Sequence, residues 1–359
     1  MSIDPSVLIG RRNERWRFDL LTLNDTYIRP LRRVVDGKFD FSIHNTIRSG
    51  GDLTCAYEPD IDWLKVRIQP WYILLDDDDE TELAKWPMGV FIPESPGEKF
   101  SSTGASVELQ LYDKLLLLSR DEVESTWVVP KGTDGLLAVR QVIESVTETQ
   151  LVAEDLGKTI AGDMVWDVGE TKLRIINDLL ESMNYFSLWV DGYGRYRTNP
   201  YIEPMSRGLA WEFVDDRDSI YSPDYEHKAD YFNAPNKVIL IGQAEGDEEA
   251  PRAVALNENP ESPLSFQNRG TWISYTEQGV EADSLGTLQA IAQRRLAEKS
   301  QVTSSFTVNS AHIPLELNGL VRFVDSEYDR EAYCVLQSFS VNTQLGSMME
   351  LEMRRVVET

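Results

Sequence analysis

Histidine and cysteine are scarce in this chain. Three His and two Cys occur in 359 residues. These are the side chains that most often bind transition metals or act as nucleophile and base near neutral pH. His44, His227 and His312 lie far apart, and no His-Glu-x-x-His pattern is present. Cys55 and Cys334 match neither zinc nor redox spacing. Both thiols are expected reduced and buried as small apolar groups, as suits synthesis in a cytosolic compartment. A Gly-x-Ser-x-Gly elbow and a Walker-type lysine loop are missing too. No apolar run approaches membrane-spanning length. The start, Met1-Ser2-Ile3-Asp4-Pro5, lacks the basic and apolar regions of a signal peptide. If the protein acts outside a cell, ordinary secretion is not its expected route. The sequence therefore offers no catalytic, cofactor-binding or metal residue, and no cofactor is expected.

Positive charge is also short. Lys and Arg number 35 against 60 Asp and Glu, a net charge of −25. Such a surface repels phosphate backbones and anionic membranes, which disfavours binding to either by charge neutralisation. Simple solubility is the plainest reading of that charge.

In so acidic a chain, paired carboxylates say little. Asp60-Ile61-Asp62 and Asp215-Asp216-Arg217-Asp218 are the tempting clusters. A glycosidase would need two carboxylates about 5–9 Å apart across a cleft; turn residues with solvated charge are the better reading. Asp76 to Glu80 could attract calcium, but it lacks the glycine and distal glutamate of an EF-hand loop and is expected to be a surface loop. Asp191-Gly192-Tyr193-Gly194-Arg195 resembles part of a nucleotide fingerprint, yet its flanks predict a hairpin. His44 is expected on a strand face with Asp40 and Ser42, exposed or at an interface. His227 falls in a polar stretch and His312 in a loop before Ile313-Pro314.

What is present is β patterning. Arg15 to Leu20 and Asp40 to His44 alternate apolar with polar, as half-buried strands do. Asp36-Gly37 predicts a hairpin turn, and Ser49-Gly50-Gly51-Asp52 another. Val66 to Leu75, Gly89 to Pro93 and Ser106 to Tyr112 are further expected strands. The middle changes period. Leu136, Val139, Ile143 and Val146 fall at helical spacing after Thr133 or Asp134, and Leu173, Ile176, Leu180 and Met183 repeat it. Phe186 to Val190 and Arg195 to Thr198 then predict two strands. After that come a strand at Lys237 to Gly242, an exposed loop at 243–263, and a helix marked by Leu285, Leu288, Ala292 and Leu296, starting near Asp283 or Ser284. Strands at Ser304 to Asn309, Gly319 to Val324, Tyr333 to Asn342 and Ser347 to Val356 close the chain. Nine Trp and fourteen Tyr could mark a carbohydrate face. Trp16, Trp63, Trp71, Trp86, Trp189 and Trp211 sit in or beside predicted strands, which favours core and subunit contacts. The expected plan is residues 1–130 as a first β domain, 131–205 as a small α/β domain with two helices and a hairpin, and 206–359 as a second β domain with one helix.

Three stretches carry a family resemblance. One runs from Asp62-Trp63-Leu64 through Val66 to Leu75 and Trp86 to Pro93 to Val107-Glu108-Leu109-Gln110-Leu111-Tyr112-Asp113-Lys114-Leu115. The second is Met183-Asn184 followed by Phe186 to Gly194. The third is Pro314 to Gly319, Tyr333 to Val341 and Met348 to Val356. Together they are similar to the tail-hub proteins of long-tailed bacteriophages, the minor tail proteins that resemble the baseplate hub and the N-terminal part of tail-associated lysins. The resemblance is one of pattern over most of the chain. It implies a mainly β fold with two tube-like β-barrel domains and a small α/β domain. It also implies a ring, expected to be a homotrimer, that closes the tail tube in the virion after assembly in the host cytoplasm. The implied partners are the distal tail protein, the tape-measure protein and tail fibre or receptor-binding proteins, with genomic DNA passing unbound through the channel at ejection. On this reading the acidity would keep DNA from sticking, and the chain would be structural, not an enzyme. No peptidoglycan hydrolase is expected after the last strand. A distal tail ring protein, and a carbohydrate-binding or glycoside-cleaving tail module, are the alternatives left open.

Overall fold

The computed structural model describes residues 3–356 except 11, 77–79, 103, 148–149, 231, 243–248, 281–284 and 300–302; at 230, 287, 294, 297–298 and 303 only the backbone is described. Part of the acidic run Asp76 to Glu80, the first two residues, the helix start at Asp283 or Ser284 and the C-terminal Thr359 lie outside the described residues. The protein is mainly β with a few short helices. It forms two compact units: residues 1–224 with 308–353, and residues 225–307 with 354–359.

In the first unit, Asn13–Leu21 pairs antiparallel with Arg67–Leu75, and Tyr27–Pro30 and Glu82–Pro87 form the edges of that sheet. A larger sheet runs in the order Ile92–Ser101, Gly104–Tyr112, Ser49–Ala56, Val34–Ser42, Arg330–Asn342, Met349–Arg355. The two sheets bury a common core: Phe18, Leu20 and Ile68 from the first meet Phe39, Leu53, Val107, Leu109 and Leu111 from the second. Each such side chain removed from water stabilises the fold by about 1.5–3 kcal/mol.

The 13-residue strand Arg330–Asn342 is the joint of the larger sheet. Its first half pairs antiparallel with Leu320–Asp325, to which Leu209–Val214 adds in parallel. Its second half, Ser338 to Asn342, pairs with Lys38 to Ser42. Phe41 and Phe339 are register partners there, with rings stacked 4.3 Å apart. Strands from the two ends of the chain thus share one sheet. Every sheet is open among the described residues, so neither β region is the closed barrel expected within one chain. The outer strands show why: Tyr27–Pro30 and most of Ile92–Ser101 are exposed and end their sheets against solvent.

Local differences from the predicted strands have physical causes. Asp36-Gly37 is not a turn; it lies inside Val34–Ser42, where a bulge between Val34 and Asp36 absorbs the irregularity. Ser49 to Asp52 is likewise strand, part of Ser49–Ala56. A Cβ on Gly51 would stand 2.0 Å from the Lys38 carbonyl oxygen, so glycine serves close strand approach here instead of a turn. At Gly89 to Pro93 the backbone is irregular until Ile92, where the strand Ile92–Ser101 starts. His44 falls in the turn after Val34–Ser42, not on its face.

The helices follow their caps. Asp134 accepts from the Leu137 amide and opens Gly135–Glu144, and Thr171 accepts from the Arg174 amide and opens Lys172–Ser182. Leu136, Val139, Val142 and Ile143 pack with Leu173, Ile176, Leu179 and Leu180. The strand expected at Phe186 to Val190 shrinks to Trp189–Val190, because the Leu188 amide is held by the Asn177 side chain at 3.0 Å.

In the second unit, Lys237–Gly242 lies between Arg252–Leu256 and Ser274–Val280, with the helix Leu285–Lys299 against it. Val238 and Leu240 are buried with Ala253, Ala255, Leu288 and Ala292. The stretch 243–263, expected to be loop, therefore contains a strand whose alternate alanines are inward. Among the described residues no helix is long and apolar enough to cross a membrane.

Replacing Phe339 with Ala is expected to cost about 3–5 kcal/mol, read from urea denaturation. Leu345→Ala, at a side chain 69% exposed, should stay within about 0.5 kcal/mol. Equal losses at both positions would show that the 330–342 strand is not the joint.

Candidate functional site

The three histidines have unlike surroundings. His44 is exposed, with its amide donating to the Ser42 hydroxyl. His227, in Tyr221–Asp230, stacks on Phe306 at 4.5 Å and its Nε2 lies 2.7 Å from the Ser304 hydroxyl. His312 is in a loop as expected, but buried, edge-on to Trp16 and Tyr72 at 5.8 and 4.8 Å. Among the described residues neither of its ring nitrogens has a hydrogen-bond partner. Burial and the neighbouring Arg12 guanidinium push this imidazole down to about 4. Among the described residues no group of His, Cys, Asp and Glu could hold a metal ion.

The acidic clusters do local work. Asp62 accepts from the Leu64 amide, starts the short turn Trp63–Lys65 and pairs with Lys65. Asp60 pairs with Arg29. Asp215 accepts from the Ser326 amide and hydroxyl, and Asp216 from the Asp218 amide. Glu80 pairs with Arg15. Both cysteines are buried, as expected, and neither is in a disulfide. Trp63 and Trp86 are buried, while Trp16, Trp71, Trp189 and Trp211 are half-buried.

A densely built polar site is a buried seam that local sequence pattern does not mark. It joins the end of Gly104–Tyr112 to the hairpin of Trp189–Val190 and Tyr196–Thr198. Lys114 is 1% exposed and its ammonium binds the Asp25 carboxylate. Burial lowers the pKa of Lys114, and Asp25 opposes that shift. Beside it, Asp113 accepts from the Ser49 amide at 2.7 Å, the Ser49 hydroxyl at 2.9 Å and the Leu115 amide at 2.8 Å. Burial still pushes the Asp113 carboxyl up to about 6. The Tyr196 hydroxyl donates to the Lys114 carbonyl at 2.8 Å. Asp191 is buried at the hairpin turn, where it accepts from the amides of Tyr193 and Arg195 and from Arg195 Nε.

The hairpin tip is seated by fit as well as by charge. Gln69 donates to the Gly192 carbonyl at 3.2 Å, and Tyr193 meets Trp71 edge-on. A Cβ on Gly192 would come within 2.3 Å of the Pro87 carbonyl oxygen. The sequence Asp191 to Arg195 is thus a hairpin turn, as predicted, and its glycine permits docking against the first sheet. The seam has the chemistry of a clamp: its charges hold backbone and one another. It was missed because a buried Lys or Asp looks like any other in sequence; Asp113 and Lys114 fall within a stretch singled out for pattern, not for charge.

No protein-family model matches the sequence, and no curated protein does. Solved structures do match. A tail protein from Neisseria meningitidis MC58 aligns with TM-score 0.64 at 15% identity, over 94% of this chain and 96% of that one. This chain folds like a phage tail protein. The 43 kDa tail protein of prophage MuSo2 from Shewanella oneidensis aligns at 0.58 and 12% identity, over 95% and 98%. The c3393 protein of E. coli, a type VI secretion component described as similar to the T4 tail proteins gp27 and gp5, aligns at 0.50 and 11%, over 91% and 74%. At these identities the likeness is one of fold.

Two outcomes test the site. Gly192→Ala should cost about 1–3 kcal/mol in urea denaturation by forcing the hairpin off Pro87; no loss would mean the tip is not seated there. His312→Phe should remove a pH dependence of stability. Unfolded, the imidazole takes its proton near 6.5; folded, only near 4, so the unchanged protein loses stability as pH falls through that window. The variant should gain about 1–3 kcal/mol relative to it between pH 7 and 4. Asp113 acts with opposite sign, contributing most below its ordinary 3.8 and losing that contribution as pH rises through about 6. It is common to both proteins and cancels in their difference.

Proposed function

We propose that the chain is a structural component of a phage tail, and within the tail its tip hub. The observation that carries this is the end-to-end fold match: tail proteins of two bacteria align over more than nine-tenths of both chains. The likeness to a protein itself compared with gp27 supports the hub in particular. On this reading the chain is not an enzyme, and it resides in the virion at the tail end.

The hub would be a homotrimeric ring. Sheets that are open within one chain would be completed by neighbours into the tube-like barrels that surround a channel. The proposed division is 1–130 and 206–359 as the tube-like parts and 131–205 as the α/β decoration. The ring would contact the distal tail protein on one side and fibre or receptor-binding proteins on the other, with the tape-measure protein ending inside. Three copies would concentrate three times the net charge of −25 around the channel. An acidic lumen would keep passing DNA from adhering.

Native mass spectrometry of the purified chain and cryo-electron microscopy of intact tail tips test this together. Three copies around an acidic channel are expected. Six copies would replace the hub with a distal tail ring, and a neutral or basic lumen would remove the role given to the charge.

A further inference from the structure

The small ribbon of Trp127–Val129 and Met164–Trp166 is two strands wide, and among the described residues no third strand pairs with either edge. One face carries Val129 and Trp166 into the helical core. The other carries Val128 and Val165, directly opposite in register and 52% and 59% exposed. Val168, just beyond, is 64% exposed. A lone ribbon with free edges and an apolar outer face is a template for another strand.

Met164 to Trp166 line a cleft of about 620 Å³, which the helix Lys172–Ser182 lines as well. The polar lining includes Asp167, Glu170, Asp178 and Glu181 against one cation, Arg174. Arg174 already pairs with Glu170 at 2.8 Å and approaches Asp178 at 3.9 Å. Asp178 also accepts from Trp166 Nε1 at 2.8 Å, which ties the strand wall to the helix wall and holds the cleft in shape. Asp167 and Glu181 are exposed at its rim. Four carboxylates and one guanidinium leave the lining at −3.

We propose that this cleft receives an extended, cationic segment of a partner protein, added as a third strand beside Met164–Trp166. The edge supplies main-chain hydrogen bonds, and alternate side chains of the guest lie over Val165 and toward the carboxylates. Complementary charge sets the choice of guest. A second copy of this chain is a poor occupant, since its net charge of −25 opposes that of the lining. The inference goes beyond the hub reading and does not rest on it, because it concerns one chain in solution.

The test uses the full chain and an eight-residue probe of alternating Lys and Val with blocked ends, followed by isothermal titration calorimetry at physiological salt. Binding is expected to weaken at least tenfold in the double variant Asp167→Lys, Glu181→Lys, and to weaken as much when alternate probe amides are N-methylated. The exposed distant pair Glu98→Lys, Glu327→Lys changes net charge equally and should leave affinity within twofold. Circular dichroism confirms that each variant is folded. No binding, equal weakening by the distant pair, or undiminished binding of the N-methylated probe would each overturn the proposal, the last two by showing attraction to an acidic surface at large.

Discussion

The pairing of Ser338 to Asn342 with Lys38 to Ser42 is the constraint on which the first unit depends. A strand in the middle of a sheet needs a partner on both sides, or its amides and carbonyls stay unsatisfied. Val34–Ser42 has Ser49–Ala56 on one side and only the distant 330–342 strand on the other. Through it the strands 49–56, 104–112 and 92–101 become continuous with 320–325 and 349–355. The stacked Phe41 and Phe339 mark the junction with an apolar contact as well as a ladder. Intervening sequence can then vary in length at small entropic cost, since loop closure grows only slowly with length.

The buried seam has a different character. It fixes orientation more than it adds net stability, because burying Lys114 and Asp113 offsets much of what their bonds return. Each charge there has a specified partner: Asp25 for Lys114, the Ser49 amide and hydroxyl for Asp113, Arg195 for Asp191. Specified partners hold the hairpin at one angle to the sheet, where a purely apolar junction could slide.

Much of the secondary structure was legible because it is local. Asp134 and the periodic aliphatic residues after it announce a helix, and the alternation from Met349 to Met353 announces a strand with one buried side. Glycine was the poorest guide. Gly51 has the same identity whether it turns a chain or lets two strands approach, and only the Lys38 carbonyl above it decides. The parallel pairing of Leu209–Val214 with Leu320–Asp325 joins segments about a hundred residues apart, and no window of sequence contains both. The barrels implied by the family resemblance are open sheets within the chain for the same reason: closure is a property of edges, and edges are set by partners. In the candidate site, the hairpin at Asp191 was legible from its turn residues, while the burial of Lys114 and Asp113 depends on contacts with Tyr196 and Ser49 that are remote in the chain.

The shared sheet also imposes a wait during synthesis. At about 5–20 residues per second, roughly 15–60 s separate the emergence of strand 34–42 from that of its partner 338–342. Throughout that interval one edge of the nascent strand has nothing to pair with, and another nascent chain is the nearest substitute. Lys38 and Asp40 stand exposed on this strand on either side of the inward Phe39, paired with each other at 3.0 Å. Charges set into an unpaired edge discourage it from zipping to a stranger. The residues that decorate the finished sheet are thus also a guard for the unfinished one.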